Sequence, residues 1–363
     1  MPCAVDVSGQ DALDAYLVAH DPSTGSVTLA ISGTIPTSIT SLAVIDAQTA
    51  CRHFHVKFGA VLRLNYLHLI NGRSTDLLEG GGSIRTYGIY AKLYNLPLSN
   101  VQDATSIPSV FNPTNDGTLA KITHCKFSHN YAYRGGVIQI TGPNSGSSGS
   151  SGGAFPYLYM DGNSKVDISD SIFIDNTASN FAGTIEGIYY PLLDIKNTDF
   201  IRNKVLENGG GGSGNSRFGG GAGAMDLFIC EYAEIINTTF IENDGFTIGG
   251  AIRLRRTALT CRGCAFDKNK LSQANSHLRA GGAFWIKQSI LTLTDNTTVT
   301  NHGNSYTLNP RTDIESGGAI FSDGETTINF QGVTMMNSAA NNGGAILAQQ
   351  SKFVKTNLNF LNL

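Results

Sequence analysis

The sequence predicts an all-β protein, a single-stranded parallel β-helix solenoid of roughly ten to twelve coils. Three observations predict it. A two-word motif, Phe-x-x-Asn followed by Gly-Gly-Ala-Ile, recurs along most of the 363 residues. The shortest intervals between motif asparagines cluster near 25 residues. Period-2 alternation of apolar and polar residues follows the glycines. One repeat unit reads FIENDGFTIGGAI, Phe240 to Ile252. Its first word returns at Phe127–Asn130, Phe173–Asn176, Phe200–Asn203 and Phe266–Asn269. Its second word returns as Gly135-Gly136-Val137-Ile138, Gly281-Gly282-Ala283-Phe284, Gly317-Gly318-Ala319-Ile320 and Gly343-Gly344-Ala345-Ile346, with a weaker form at Ala182. Asn71, Asn301, Asn337 and Asn362 read as further copies that keep the Asn without the Phe.

Spacing narrows the architecture. The steps Asn176 to Asn203, Asn243 to Asn269 and Asn337 to Asn362 are 27, 26 and 25 residues. Tetratricopeptide and ankyrin units are longer and need helical periodicity, and no L-x-x-L-x-L pattern supports a leucine-rich repeat. A coil of short strands joined by turns fits both the length and the letters.

Each position has a chemical reason. Phe stacks inward on the Phe of the next coil, one strand spacing of about 4.8 Å away. Two residues earlier, Cys125, Ser171, Thr198, Thr238 and Cys264 form a column of small side chains that leaves room for the rings. The Asn amide both donates and accepts, so stacked asparagines can form an axial ladder. Gly-Gly supplies backbone angles that other residues resist. In Ala-Ile-Arg-Leu-Arg from Ala251, Ile252 and Leu254 point inward and Arg253 and Arg255 outward.

Taken in order, the chain forms one domain. Residues 1–25 form an N-terminal cap, in which Ser8-Gly9-Gln10-Asp11 before an apolar stripe predicts a short helix. Residues 26–117 supply early coils, with a proline-bearing loop excursion over 95–117, and residues 118–363 carry the repeat coils. Two low-complexity insertions, near 141–153 and 208–223, are too polar and glycine-rich to pack and should project from turns. The last repeat stops at Leu363 without a following Gly-Gly-Ala, which predicts continuation of the chain, or a partner or self-association, at that open coil.

The serial pairing of FxxN with GGA[ILV] resembles the repeat of the chlamydial-type polymorphic outer membrane proteins, over roughly residues 60 to 363. The resemblance implies a right-handed β-helix of the pectin-lyase-like kind. It also implies an adhesin passenger at a cell surface, outer-membrane-associated in a bacterium. Two departures stand out: the chain shows no leader, and it lacks a C-terminal series of about 10-residue amphipathic barrel strands.

Composition excludes other classes. A formal charge of −3 argues against nucleic acid as a partner. No apolar run is long enough for a transmembrane helix. Six cysteines permit disulfides, with Cys125 and Cys264 expected as buried free thiols; Cys261-x-x-Cys264 lacks the further ligands a zinc site needs. No cofactor or metal is expected. A β-helical hydrolase needs carboxylates on adjacent coils. Asp167, Asp170 and Asp199 are scattered candidates that read better as solvent-facing strand residues, and no acid cluster is visible beside Arg253, Arg255 and Arg256. The expected role is therefore non-enzymatic, in adhesion or as a structural subunit of a surface assembly. A carbohydrate-active or glycan-binding β-helix is the alternative, with Arg253, Arg255 and Arg256 as the candidate contact to a glycan or partner. Asn237-Thr238-Thr239 and Asn296-Thr297-Thr298 are N-glycosylation sequons relevant to a eukaryotic secretory route. The inward assignment of Thr238 weakens the first.

Overall fold

A computed structural model describes residues 43–56, 61–65, 67–74, 81–87, 119–141, 165–188, 191–206, 221–230, 232–272, 278–302, 314–340 and 342–361, plus short strand segments at 6–7, 27–28, 94–95 and 158–159. The N-terminal helix, residues 142–153 and 208–220 of the two low-complexity insertions, the loop excursion over 96–117 and Asn362 lie outside the described residues.

The described chain is an all-β parallel solenoid. A central coil shows how it is built. Tyr232–Ile236 and Thr239–Ile241 form a bent first face, Asp244–Gly245 a short second face, and Ile252–Arg255 a third. Successive coils pair in parallel, so Phe173, Phe200, Phe240 and Phe266 fall in one register. The third face stacks nine strands among the described residues, from Phe54–Val56 to Ile346–Ala348. The first face carries one further level, Ser351–Leu361 on Thr326–Met336.

Two bends divide each central coil around its Phe strand, and both use left-handed backbone. The first holds His124, Asp170, Asn197, Asn237 and Gly263; the second holds Asn71, His129, Asp175, Arg202, Glu242, Lys268, Asn301 and Asn337. A non-glycine residue in this conformation costs on the order of 1 kcal/mol or more. Axial pairing offsets that cost, because each bend still donates to the next coil, as in Arg202 N–H to Ile241 O at 2.9 Å and Glu242 N–H to Asp267 O at 2.9 Å.

The core is a thin column rather than a globule. Phe127, Phe173, Phe200, Phe240 and Phe266 are fully buried, with adjacent centroids 4.7–4.9 Å apart and rings within 8° of parallel. Beside them, the small column bonds along the axis: Ser171 Oγ accepts from Cys125 N–H at 3.1 Å, and Thr297 Oγ1 from Cys264 N–H at 3.2 Å. Cys125, Cys230, Cys261 and Cys264 are free and buried, while Cys51 is disulfide-bonded. Cys261 lies within the strand Ala258–Arg262.

Register corrects the sequence reading at three asparagines. Phe266 aligns with Val299, and Val299 with Met335. Three residues on, the ladder position is therefore His302 and then Ser338, not Asn301 and Asn337. Likewise Leu69 aligns with Phe127, which puts Gly72 rather than Asn71 at the ladder. The three asparagines occupy the left-handed bend one residue earlier. Asn tolerates that conformation well, so one letter answers two structural demands.

Candidate functional site

The repeat asparagines form a continuous buried ladder. Asn130 Nδ2 donates to Asn176 Oδ1, Asn176 to Asn203, Asn203 to Asn243, and Asn243 to Asn269, each at 3.0 Å. The same oxygens also accept the backbone N–H of the preceding asparagine at 3.0–3.1 Å. Asn176, Asn203, Asn243 and Asn269 each also donate to a Phe carbonyl, as in Asn203 Nδ2 to Phe173 O at 2.9 Å, while Asn130 donates to Leu69 O at 3.2 Å. His302 ends the ladder, its ring nitrogens 3.2 Å from Asn269 O and Phe266 O. Burial holds its pKa down at about 4, so the ring is neutral at pH 7.

The glycine pairs are spacers of a specific kind. The first glycine takes positive φ at Gly249, Gly281, Gly317 and Gly343. The second sits under the next coil: a Cβ on Gly250 would land on Gly282 O, and one on Gly318 on Gly344 O. Gly282 N–H in turn donates to Gly318 O at 2.9 Å. Both columns, Asn and Gly, face protein and serve coil formation.

The arginines are placed differently from the expectation. Arg253 points away from the coil interior, yet only 6% of its surface is exposed. It pairs with Asp226 at 3.3 Å and lies 5.5 Å over the Trp285 ring. Burial lowers its pKa to about 10. Arg255 is half-buried, 3.5 Å from the same Asp226 and stacked at 4.3 Å on Phe228. Only Arg256 is exposed; it sits in a left-handed bend and donates to Gln288 at 3.3 Å. The three therefore form no open basic strip.

The structure also brings together residues the sequence reading missed. The outward position of the third face runs Gln139, Glu186, Asp226, Arg253, Trp285 and Phe321 in register, and all six are buried. Arg134 donates to both oxygens of Glu186 at 2.7–3.1 Å, and Gln139 adds a bond at 3.0 Å. Burial still raises the Glu186 pKa, outweighing the arginine beside it. Farther along, Ile248, Ala280, Trp285 and Phe321 form a second apolar cluster outside the coil. The strands Leu278–Ala280 and Ile314–Ser316 run past it as a separate parallel pair. Complementary charge at one repeat position, Glu186 and Asp226 against Arg253, was the available signal. It was masked because outward strand positions were assumed to face water.

Two acids on consecutive coils thus do exist, contrary to the expectation, but each is 1% exposed and held by arginine. Asp199 accepts a bond from Thr239 on the next coil. Among the described residues no cluster of three or more His, Cys, Asp or Glu forms a metal-sized site, and no helix is long and apolar enough to cross a membrane.

One open groove, of about 520 Å³, lies at the corner of the first and second faces. It is lined by His129, Asn130, Tyr131, Asp175, Thr177, Arg202, Lys204 and Leu206. Arg202 grips Asp175 with two bonds of 2.9 Å. Lys204 makes no salt bridge among the described residues, and Leu206 is 47% exposed.

No protein family, no curated protein and no solved structure matches this chain.

Proposed function

We propose that the chain is a non-enzymatic, extended β-helical protein of a cell surface or the extracellular space, acting in adhesion or as a structural subunit of a surface assembly. One observation carries this reading. The paired acids with catalytic potential, Glu186 and Asp226, are buried and bound to Arg134, Arg253 and Arg255 instead of facing a cleft. A hydrolase or lyase needs its acids in contact with substrate. The disulfide at Cys51 fits an oxidising compartment. The resemblance to the polymorphic outer membrane repeat supports a display role. For assembly, the contact we infer is the 351–361 level, where Phe353, Val354, Phe360 and Leu361 are 40–49% exposed.

Beads coated with the full chain should attach saturably to cells, and soluble chain should compete. Attachment no better than albumin-coated beads overturns the adhesion reading. Release of reducing ends or unsaturated uronates from a polysaccharide panel should stay at background; turnover overturns the non-enzymatic reading.

The groove favours a second reading, glycan binding. Tyr131, a Lys204 that makes no salt bridge among the described residues and the Asp175–Arg202 pair suit a sugar bearing an acidic group. A Lys204→Ala, Arg202→Ala double variant should then elute earlier from a sulfated-glycan column, whereas Arg253→Lys should not.

A further inference from the structure

We propose that Asn237 and Asn296 are N-glycosylation sites, two coils apart on one ridge of the first face. The adhesion reading does not require this. Asn-X-Ser/Thr with a non-proline middle residue occurs at these two positions and at no other asparagine of the chain. Both fall in the same column, the bend that splits the first face, and both have positive φ, 48° and 61°. Alternation about the bend turns the middle residues inward: Thr238 and Thr297 are fully buried. Asn237 and Asn296 are exposed and Thr239 and Thr298 only half-buried, so amide and third-residue hydroxyl share the outer side. The inward Thr238 thus fits the sequon rather than weakening it.

Two further observations separate these asparagines from Asn71, Asn197, Asn301 and Asn337. The amides of Asn71, Asn197, Asn301 and Asn337 each donate to the preceding coil, at 2.6–3.1 Å. Those of Asn237 and Asn296 make no hydrogen bond to any described residue, which leaves Nδ2 available. In addition, each is followed at the same bend of the next coil by glycine, Gly263 and Gly332. A Cβ on Gly263 would stand 2.7 Å from Asn237 Oδ1. Glycine thus leaves room for the Asn237 amide oxygen, while a Cβ on Gly332 would come no nearer than 3.7 Å to Asn296.

The chemistry balances with a polyprenol diphosphate-linked oligosaccharide as donor and a membrane oligosaccharyltransferase as catalyst. Asn Nδ2 attacks the anomeric carbon. The N–C1 bond forms as the C1–O bond to diphosphate breaks, and Nδ2 gives up one proton.

The test uses the full chain secreted from cultured eukaryotic cells. Peptide-N-glycosidase treatment in heavy-oxygen water should convert Asn237 and Asn296, and no other asparagine, to labelled Asp. Asn237→Gln and Asn296→Gln should each remove one glycan mass. Thr239→Ala should lose the Asn237 glycan and Thr239→Ser keep it, which a merely exposed asparagine would not show. A secreted chain with a cooperative melt and both asparagines unmodified overturns the proposal. Bead attachment is read separately, so either idea can fail without the other.

Discussion

The coils from Phe127 to Asn269 and those from Val299 onward share one backbone plan but solve the interior differently. In the earlier set, identical rings and identical amides stack on copies of themselves. In the later set Val299 and Met335 replace Phe, and His302 and Ser338 replace Asn. Phe284, on the third face, leans 55° onto Phe266 where the parallel stack stops. The ladder gives way to a neutral ring lying 3.2 Å from two carbonyls, only one of which its single N–H can reach as a donor. Axial identity is thus one way to satisfy a β-helix interior, and shape compensation between faces is another. Only the first leaves an obvious mark in the letters.

The largest expected effect tests coil spacing. Gly250→Ala places a methyl on Gly282 O between two hydrogen-bonded backbones. A loss of about 4 kcal/mol or more is expected in urea unfolding followed by far-ultraviolet circular dichroism. Gly344→Ala, on the last third-face level described, meets nothing within 4 Å and carries only the strain of its φ of +30°. About 1 kcal/mol is expected there. Equal losses would mean that spacing is not what the glycines supply.

The ladder comes next. Asn203→Ala leaves the Asn176 amide and backbone N–H without their acceptor and Phe173 O without its donor. A cost of about 3 kcal/mol follows from buried orphaned groups. Ser338→Ala removes a single bond to Met336 O at 3.3 Å and should cost about 1 kcal/mol or less. Comparable values would argue against a cooperative ladder.

Acid sensitivity sharpens the contrast. His302 in the later set and His53 in the early coils are buried, with pKa held near 4 against the usual 6.5. A depressed folded-state pKa means the neutral ring is the folded form. The stability involved is present above pH 6.5 and is lost as pH falls towards 4, up to roughly 3 kcal/mol per residue. The melting temperature should drop across that window. His302→Asn extends the ladder by one rung and should flatten the drop; an unchanged slope would assign it elsewhere.

The smallest effect concerns the rings. Phe200→Leu, mid-stack, should cost about 1.5 kcal/mol, and Met335→Leu under about 1 kcal/mol. A reversed order in thermal melts would show that the parallel stack adds nothing beyond volume.

Much of the fold was legible because the solenoid repeats one solution many times. Phe127 to Phe266, Asn130 to Asn269 and Gly249 to Gly344 each declared a column by recurrence, and the all-β parallel class followed. The candidate site was far less legible. Arg253 looked solvent-facing by strand alternation, but alternation says only which residues leave the coil interior. Whether a second layer covers them depends on how Ile248 of one repeat unit meets Ala280 and the Leu278–Ala280 strand, which precedes the next Gly-Gly-Ala. Asn301 and Asn337 looked like rungs because asparagine suits both a buried amide ladder and a left-handed bend.

By itself the sequence determined the coil: period, inward rings, spacer glycines and bends are local demands that one residue type meets best. The tertiary structure alone decided the register of the later coils, the burial of Glu186, Asp226 and Arg253, and which asparagines keep a free amide. Those depend on what the neighbouring coil or the covering layer presents, and strand letters carry no information about a partner dozens of residues away.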